Sequence, residues 1–120
     1  MDLDWRHFLV AVDEQDRVIA TGQIKPHGDG TRELASIATE PAWRGQGIAS
    51  AIIQRLLSEN SPPLYLSTIR PTAPFYLRFG FRELAPAEMP PYLGRMARLF
   101  QSLRRWVFPK MPDLVVMKID

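Results

Sequence analysis

The segment from Ile37 to Ala49 limits most strongly what this chain can fold into. An apolar stretch ends in a turn that contains proline, a basic loop with two glycines follows, and an amphipathic pattern begins directly after the loop. Gly45 and Gly47 carry no Cβ, so an anion can approach the backbone closely. The first N–H groups of the predicted helix have no partner within the helix and lie at the positive end of its dipole. The segment therefore predicts a strand, an anion-binding loop and a helix, in that order.

The rest of the chain supplies strands on both sides of this segment. Short polar turns join the first three predicted strands, which indicates an antiparallel meander. The strand that follows the first helix is expected to run parallel to the strand before it. Strands are predicted at residues 7–12, 17–24, 32–39, 64–68 and 114–117, with another starting at Phe81, and helices at 48–57, 73–79 and 92–107. This order predicts one α/β domain over residues 1–120, with a mixed, mostly antiparallel central sheet and flanking helices.

The helix predicted at 92–107 carries apolar and basic residues at helical spacing. Its apolar positions are expected to face the core: Leu93, Met96, Ala97, Phe100, Leu103 and Val107. Residues 1–60 contain six basic and nine acidic side chains, whereas residues 61–120 contain nine basic and four acidic ones. A basic half is compatible with a nucleic-acid partner. The helical spacing of the arginines favours a solvated helix face instead, so no nucleic-acid partner is expected.

Composition excludes several classes of protein. The chain has no cysteine, so disulfides, thiol catalysis and Cys-based metal sites are excluded. His7 and His27 are too few and too scattered to suggest zinc, and no metal is expected. The apolar runs are too short to span a bilayer, and the acidic N-terminus does not look like a secretion signal. These features predict no membrane partner and a cytoplasmic location.

The loop matches one known pattern and fails two others. No Lys-Ser/Thr pair follows the glycines as in a P-loop, and no third glycine stands at dinucleotide-binding spacing. Arg44-x-x-Gly47-x-Ala49 resembles the acetyl-CoA signature Arg/Gln-x-x-Gly-x-Gly/Ala of the GNAT family of N-acetyltransferases. The resemblance covers roughly Arg17 to Phe81 and, more loosely, the final strand. It implies the acyl-CoA N-acyltransferase fold, in which the strands at 32–39 and 64–68 diverge and the pantetheine arm lies between them.

The resemblance also assigns the residues that would bind acetyl-CoA. In the family, backbone groups at the end of the strand before the loop pair with the pantetheine amides, which here points to Ile37 and Thr39. Arg44 would reach a phosphate, or alternatively form a salt bridge with Glu40. The full set implied for acetyl-CoA is Ile37, Ala38, Thr39, Arg44, Gly45, Gln46, Gly47, Ile48, Ala49 and Ser50.

Two residues are implied as catalytic. Glu33 lies eleven positions before Arg44, the spacing at which some family members carry a glutamate that acts as general base. The alternative is an ordinary strand carboxylate paired with Arg32 or another surface charge. Tyr76 begins the segment that resembles the family pattern Tyr-x-x-x-Gly-Phe, whose tyrosine reaches the cofactor sulfur and can protonate the leaving thiolate. The alternative for Tyr76 is a core aromatic residue. His27 is a weaker candidate for the base, because a histidine between Pro and Gly in a turn is usually solvated.

The resemblance implies an N-acetyltransferase that moves an acetyl group from acetyl-CoA to a small-molecule or peptide amine by direct attack. The family normally has a strand and two helices before the strand expected at His7, and they form one wall of the acceptor groove. A second subunit or the helix at 92–107 would have to supply that wall, and a homodimer is expected. The alternative is a catalytically silent acyl-CoA-binding module of the same fold.

Overall fold

A computed structural model describes residues 8–120 as a mixed α/β fold with a six-stranded sheet. The strands are β1 Phe8–Val12, β2 Val18–Pro26, β3 Arg32–Thr39, β4 Leu64–Ile69, β5 Arg82–Glu83 and β6 Leu114–Ile119. The helices are α1 Ile48–Glu59, α2 Ala73–Leu77 and α3 Pro91–Trp106. The order across the sheet is β1-β2-β3-β4-β6-β5, and every neighbouring pair is antiparallel except β3 and β4. The predicted fold class is confirmed, while His7 lies outside the described residues.

Helix α1 covers one face of the sheet. Its apolar residues repeat at helical spacing, and Ile52, Ile53 and Leu56 are buried against β1, β2 and β3. Each fully buried side chain of this kind contributes about 1.5–3 kcal/mol through the removal of apolar surface from water. The helix ends at Asn60, whose side-chain amide donates a 2.8 Å hydrogen bond to the Leu56 carbonyl. This packing fixes where α1 begins, which matters because its N-terminus borders the candidate site.

Gly22 allows α1 to approach the sheet closely. A Cβ at this position would lie 2.6 Å from Ile52 Cγ2 and 2.8 Å from Ile37 Cδ1. We expect Gly22→Ala to lower the free energy of unfolding by about 1–3 kcal/mol, because the added methyl overpacks the interface between α1 and the sheet. Chemical denaturation measures the change. Gly28→Ala is the matched control, since a Cβ at Gly28 meets no atom within 4 Å. Equal stability of the two variants would contradict the close contact.

Helix α3 covers the opposite face of the sheet. Successive side chains of β4 and β6 point to opposite faces of the sheet. Leu66 and Met117 pack in the core under α1, whereas their neighbours Tyr65 and Val116 pack with α3. Only Leu93 of the apolar positions predicted to face inward on α3 is buried. The prediction of burial is wrong for three of them: Met96 (45% exposed), Leu103 (44%) and Val107 (57%). Periodicity identified the apolar side of the helix, but not how much of that side the rest of the fold covers.

No helix within residues 8–120 combines the length and the apolar character needed to cross a bilayer.

Candidate active site

A β-bulge interrupts β3 in the middle of the sheet. Ala35 pairs with Gln23 and Ala38 with Thr21, so two residues of β3, Ser36 and Ile37, lie opposite one residue of β2. Ser36 has a positive φ of 58°, and its carbonyl accepts a 2.7 Å hydrogen bond from the Thr21 hydroxyl. The Gln23 amide donates to the Ser36 hydroxyl at 2.7 Å. Because bulges bend the strand that carries them, the second half of β3 leaves the direction of the first.

The bend is accompanied by a gap between the two parallel strands. Within the described sheet β3 and β4 pair at a single position, Glu33 with Tyr65. Beyond that pair, toward Thr39, the edge of β3 that faces β4 has no ladder partner. Such an edge presents N–H and C=O groups that an extended, amide-containing ligand can pair with. The predicted divergence of strands 32–39 and 64–68 is present at this place.

The loop after β3 has the backbone conformation that its two glycines predict. Gly45 and Gly47 both have φ of +79°, a conformation that favours glycine, and a Cβ at either position would point into open space. Gly47 caps α1, which begins at Ile48, and no side chain caps that end of the helix. The first intrahelical bond runs from the Ala51 N–H to the Gly47 carbonyl at 3.0 Å. The N–H groups of residues 48–50 are therefore left for a ligand or water.

A groove of about 360 Å³ lies at this helix end. It brings together seven of the residues predicted to bind acetyl-CoA: Thr39, Arg44, Gly45, Gly47, Ile48, Ala49 and Ser50. Trp43, Phe75 and Arg78, which were not predicted, complete the lining. Three predicted residues lie elsewhere: Gln46 lines a neighbouring groove beside β1, and Ile37 and Ala38 lie on β3 below the loop.

Two cations border the groove. Arg44 donates from Nε to the Thr39 carbonyl at 3.2 Å, so its side chain folds back along the end of β3. The alternative of a salt bridge to Glu40 is not what the structure shows for Arg44. Arg78 lies with its guanidinium 5.1 Å from the centre of the Phe75 ring. Both guanidinium groups complement a phosphate, and they add to the positive end of the α1 dipole.

Glu33 lies on the other face of the sheet, next to His27. The distance from His27 Nε2 to Glu33 Oε1 is 2.7 Å, and the two side chains are only 6% and 14% exposed. The register of β2 and β3 explains the contact, because Lys25 pairs with Glu33 and the turn that follows brings His27 back over the strand. The expectation of a solvated His27 is wrong. Arg32, the predicted partner of Glu33, donates instead to the carbonyls of Ser61 and Pro63.

Helix α3 holds His27 in place. The imidazole stacks on the Tyr92 ring with centroids 3.8 Å apart and planes inclined by 19°. The Tyr92 N–H donates to Asp29 Oδ2 at 3.0 Å, and the Thr31 N–H donates to Asp29 Oδ1 at 2.9 Å. Hydrogen bonds from Thr31 and Tyr92 lower the pKa of Asp29 to about 2, so it stays ionised. Sequence reasoning missed this cluster because Tyr92, which stacks on His27, is distant from it in the chain.

Tyr76 lies in the core on the α1 side of the sheet. It is 9% exposed and makes edge-to-face contacts with Phe75, at 5.2 Å between centroids, and with Phe81, at 6.2 Å. Burial raises the pKa of the Tyr76 hydroxyl above its usual value of 10. The group is therefore protonated at neutral pH. Its neighbour Phe75 lines the groove at the α1 N-terminus, while Tyr76 itself does not.

In residues 8–120 no three His, Asp or Glu side chains converge in a way that fits a metal ion.

Comparisons with known proteins bear on the family and the fold of this chain. Residues 4–83 match the family described as the acetyltransferase (GNAT) domain. No curated protein sequence matches the chain significantly. Rv2747 from Mycobacterium tuberculosis, solved with CoA and NLQ, has 23% identity and a TM-score of 0.66 over 94% of this chain and 75% of that one. Escherichia coli ElaA has 15% identity and a TM-score of 0.67 over 94% and 67%.

A larger protein contains the same fold. N-acetylglutamate synthase from Neisseria gonorrhoeae, solved with coenzyme A and L-arginine, has 13% identity and a TM-score of 0.67 over 94% of this chain and 24% of that one. At these identities the structural likeness shows the fold alone. The family match covers more than half of the chain, and this protein therefore belongs to the GNAT acetyltransferase family, whose domain supports acyl transfer from a CoA-linked donor.

Proposed function

We propose that this protein transfers an acetyl group from acetyl-CoA to a primary amine by direct attack of the amine on the thioester. The observation that carries the proposal is the unpaired edge of β3 beyond Glu33, which leads directly to the uncapped N-terminus of α1. An extended pantetheine arm fits the edge, and a pyrophosphate fits the helix end. Bound acetyl-CoA supplies the activated acetyl group.

The loop would hold the donor through its backbone. Gly45 and Gly47 leave the N–H groups of residues 48–50 open to a pyrophosphate, and Arg44 and Arg78 add two positive charges beside them. Ile37 and Thr39 would pair with the pantetheine amides through their main chains. Ala38, Gln46, Ile48, Ala49 and Ser50 complete the proposed donor site.

Glu33 would remove the proton that the amine must lose. A lysine-like amine with a pKa near 10.4 is neutral in only about one part in 10³ at pH 7, so a base strongly affects the rate. When His27 Nε2 carries a proton, it donates to Glu33 Oε1 and fixes the orientation of the carboxylate. We assign Glu33 as the base and His27 as the residue that positions it.

Tyr76 would protonate the leaving group. As the amine nitrogen bonds to the acetyl carbon, the carbon–sulfur bond breaks and negative charge develops on sulfur. The Tyr76 hydroxyl, whose pKa is raised by burial, donates its proton there. One proton thus passes from the amine to Glu33 and another from Tyr76 to the thiolate, so the step balances.

Helix α3 would form the wall of the acceptor groove. Tyr92 stacks on His27 from the same face of the sheet on which Glu33 lies, and the helix packs against β6. This arrangement places α3 beside the proposed base. It favours the alternative in which the helix, rather than a second subunit, supplies the wall.

The proposal is tested by CoA release from acetyl-CoA across a panel of amines that includes amino acids, polyamines and lysine peptides. We expect turnover with at least one amine. Tyr76→Phe should lower kcat by about ten- to a hundredfold while acetyl-CoA affinity changes little, because the hydroxyl acts only as charge develops on sulfur. Thiol detection measures kcat, and calorimetry measures affinity.

Other results would point elsewhere. Acetyl-CoA binding without CoA release for any amine would favour a catalytically silent acyl-CoA-binding module. Equal kcat for the wild type and Tyr76→Phe would mean that Tyr76 has only a structural role, in its contacts with Phe75 and Phe81.

A further inference from the structure

One side of α3 carries an exposed apolar stripe. Met96, Leu99, Leu103 and Trp106 follow each other at spacings of three and four residues, so they lie along one side of the helix. Their exposed fractions are 45%, 56%, 44% and 79%. A contiguous exposed apolar row of this length indicates an interaction surface.

The chain after α3 extends the stripe. Val107, Phe108 and Met111 are 57%, 51% and 37% exposed. Their backbone is held in place: the Phe108 N–H donates to the Leu103 carbonyl at 3.1 Å, and the Met111 N–H to the Phe108 carbonyl at 3.0 Å. Arg104 Nε donates to the Met111 carbonyl at 2.6 Å. The apolar end of the stripe is therefore ordered before any partner binds.

Basic side chains flank the stripe, and this part of the chain contains no acidic side chain. Residues 89–112 contain no Asp or Glu and five basic residues: Arg95, Arg98, Arg104, Arg105 and Lys110. Successive residues turn by about 100° on a helix, which places Arg95, Arg98 and Arg105 along one border of the stripe. Apolar side chains with tryptophan on one side and arginines beside them are typical of helices that lie in a membrane interface.

We propose that α3 and residues 107–111 bind the surface of an anionic lipid bilayer. The apolar stripe would enter the boundary between headgroups and acyl chains, and the flanking arginines would contact lipid phosphates. A second copy of the chain is the less favourable occupant, because a symmetric contact would bring two cationic borders together. The inference changes the expectation of no membrane partner, which rested only on the lack of a spanning segment.

The surface is independent of the proposed acetyl-CoA site. The groove lies at the N-terminus of α1, which packs on the sheet face opposite to α3. A bilayer under α3 therefore leaves the groove open, and acetyl-CoA affinity should be the same with and without vesicles.

Vesicle flotation tests the proposal with the full chain. We expect the protein to float with vesicles of phosphatidylcholine containing about one quarter phosphatidylglycerol, not with phosphatidylcholine alone, and to be released by salt. Leu99→Gln should weaken binding by about tenfold. Leu77→Gln is the matched control, because Leu77 is 55% exposed and Leu99 56%, and it should bind like the wild type.

A second pair of variants isolates the charge. Arg98→Gln with Arg105→Gln should weaken binding by about thirtyfold, whereas Arg17→Gln with Arg55→Gln removes the same charge from other exposed sites and should have little effect. Circular dichroism and acetyl-CoA binding check that each variant is folded. The proposal is overturned if the protein floats with neither kind of vesicle, or if the control variants lose as much binding as the variants on α3. It is also overturned if sedimentation velocity shows a dimer that Leu99→Gln dissociates.

Discussion

Glu33→Gln should lower kcat by about 10²–10³-fold, because the glutamine cannot accept the proton that the attacking amine releases. The fold should persist, since the glutamine side-chain oxygen still accepts a hydrogen bond from His27 Nε2. The wild-type pH–rate profile is expected to have an acidic limb, on which the rate falls as the pH is lowered. In the variant that acidic limb should be lost or shifted, and only the titration of the acceptor amine should remain. Steady-state rates over a pH series measure both effects.

Glu59→Gln is the control for this variant, because Glu59 is an exposed carboxylate that pairs with Arg55 on α1. Its kcat and pH profile should match the wild type. If Glu33→Gln keeps the complete wild-type profile, the proton leaves through another group, and the 2.7 Å contact between Glu33 and His27 has a structural role alone.

Gly47→Val should weaken acetyl-CoA binding by about a hundredfold, because the side chain would occupy the open space through which a pyrophosphate reaches the α1 N–H groups. Valine is also unfavourable at a φ of +79°, so a loss of stability is expected in addition. Calorimetry measures the affinity, and thermal melting measures the stability.

Gly30→Val separates the two effects. Gly30 has a similar φ of +85°, and a Cβ there also meets no atom within 4 Å, but it lies in the turn between β2 and β3. Gly30→Val should lose similar stability and keep acetyl-CoA affinity. Undiminished affinity in Gly47→Val would rule out the proposed pyrophosphate position.

The sequence predicted the part of the fold in which local patterns and tertiary structure agree. The strand at 32–39 has the predicted bounds, and α1 begins at Ile48 directly after Gly47. In this region the turn chemistry, the glycine conformation and the apolar periodicity all indicate the same structure. The groove that joins Thr39 to Ser50 follows from that agreement.

Other features depend on contacts that no local pattern encodes. Ser36 has no special preference for a positive φ, so the bulge could not be predicted from its residue type. The contact of His27 with Glu33 and Tyr92 requires the register of β2 with β3 and the docking of α3. The exposure of Met96 depends on how α3 docks on the sheet, whereas periodicity defines only the apolar side of the helix.

The bulge at Ser36 reverses the alternation of side chains along β3: odd-numbered residues face α3 before the bulge and α1 after it. In an uninterrupted strand, residues three apart point to opposite faces, yet Leu34 and Ile37 both pack in the core under α1. The extra residue lets Glu33 face α3 while Thr39 lines the groove on the other side. Without the bulge, regular alternation over residues 33–39 would put Thr39 on the same face as Glu33. The eleven-residue interval from Glu33 to Arg44 thus contains one residue more than a regular strand would need, and a single-residue gain or loss within it should change the position of Arg44 relative to Glu33.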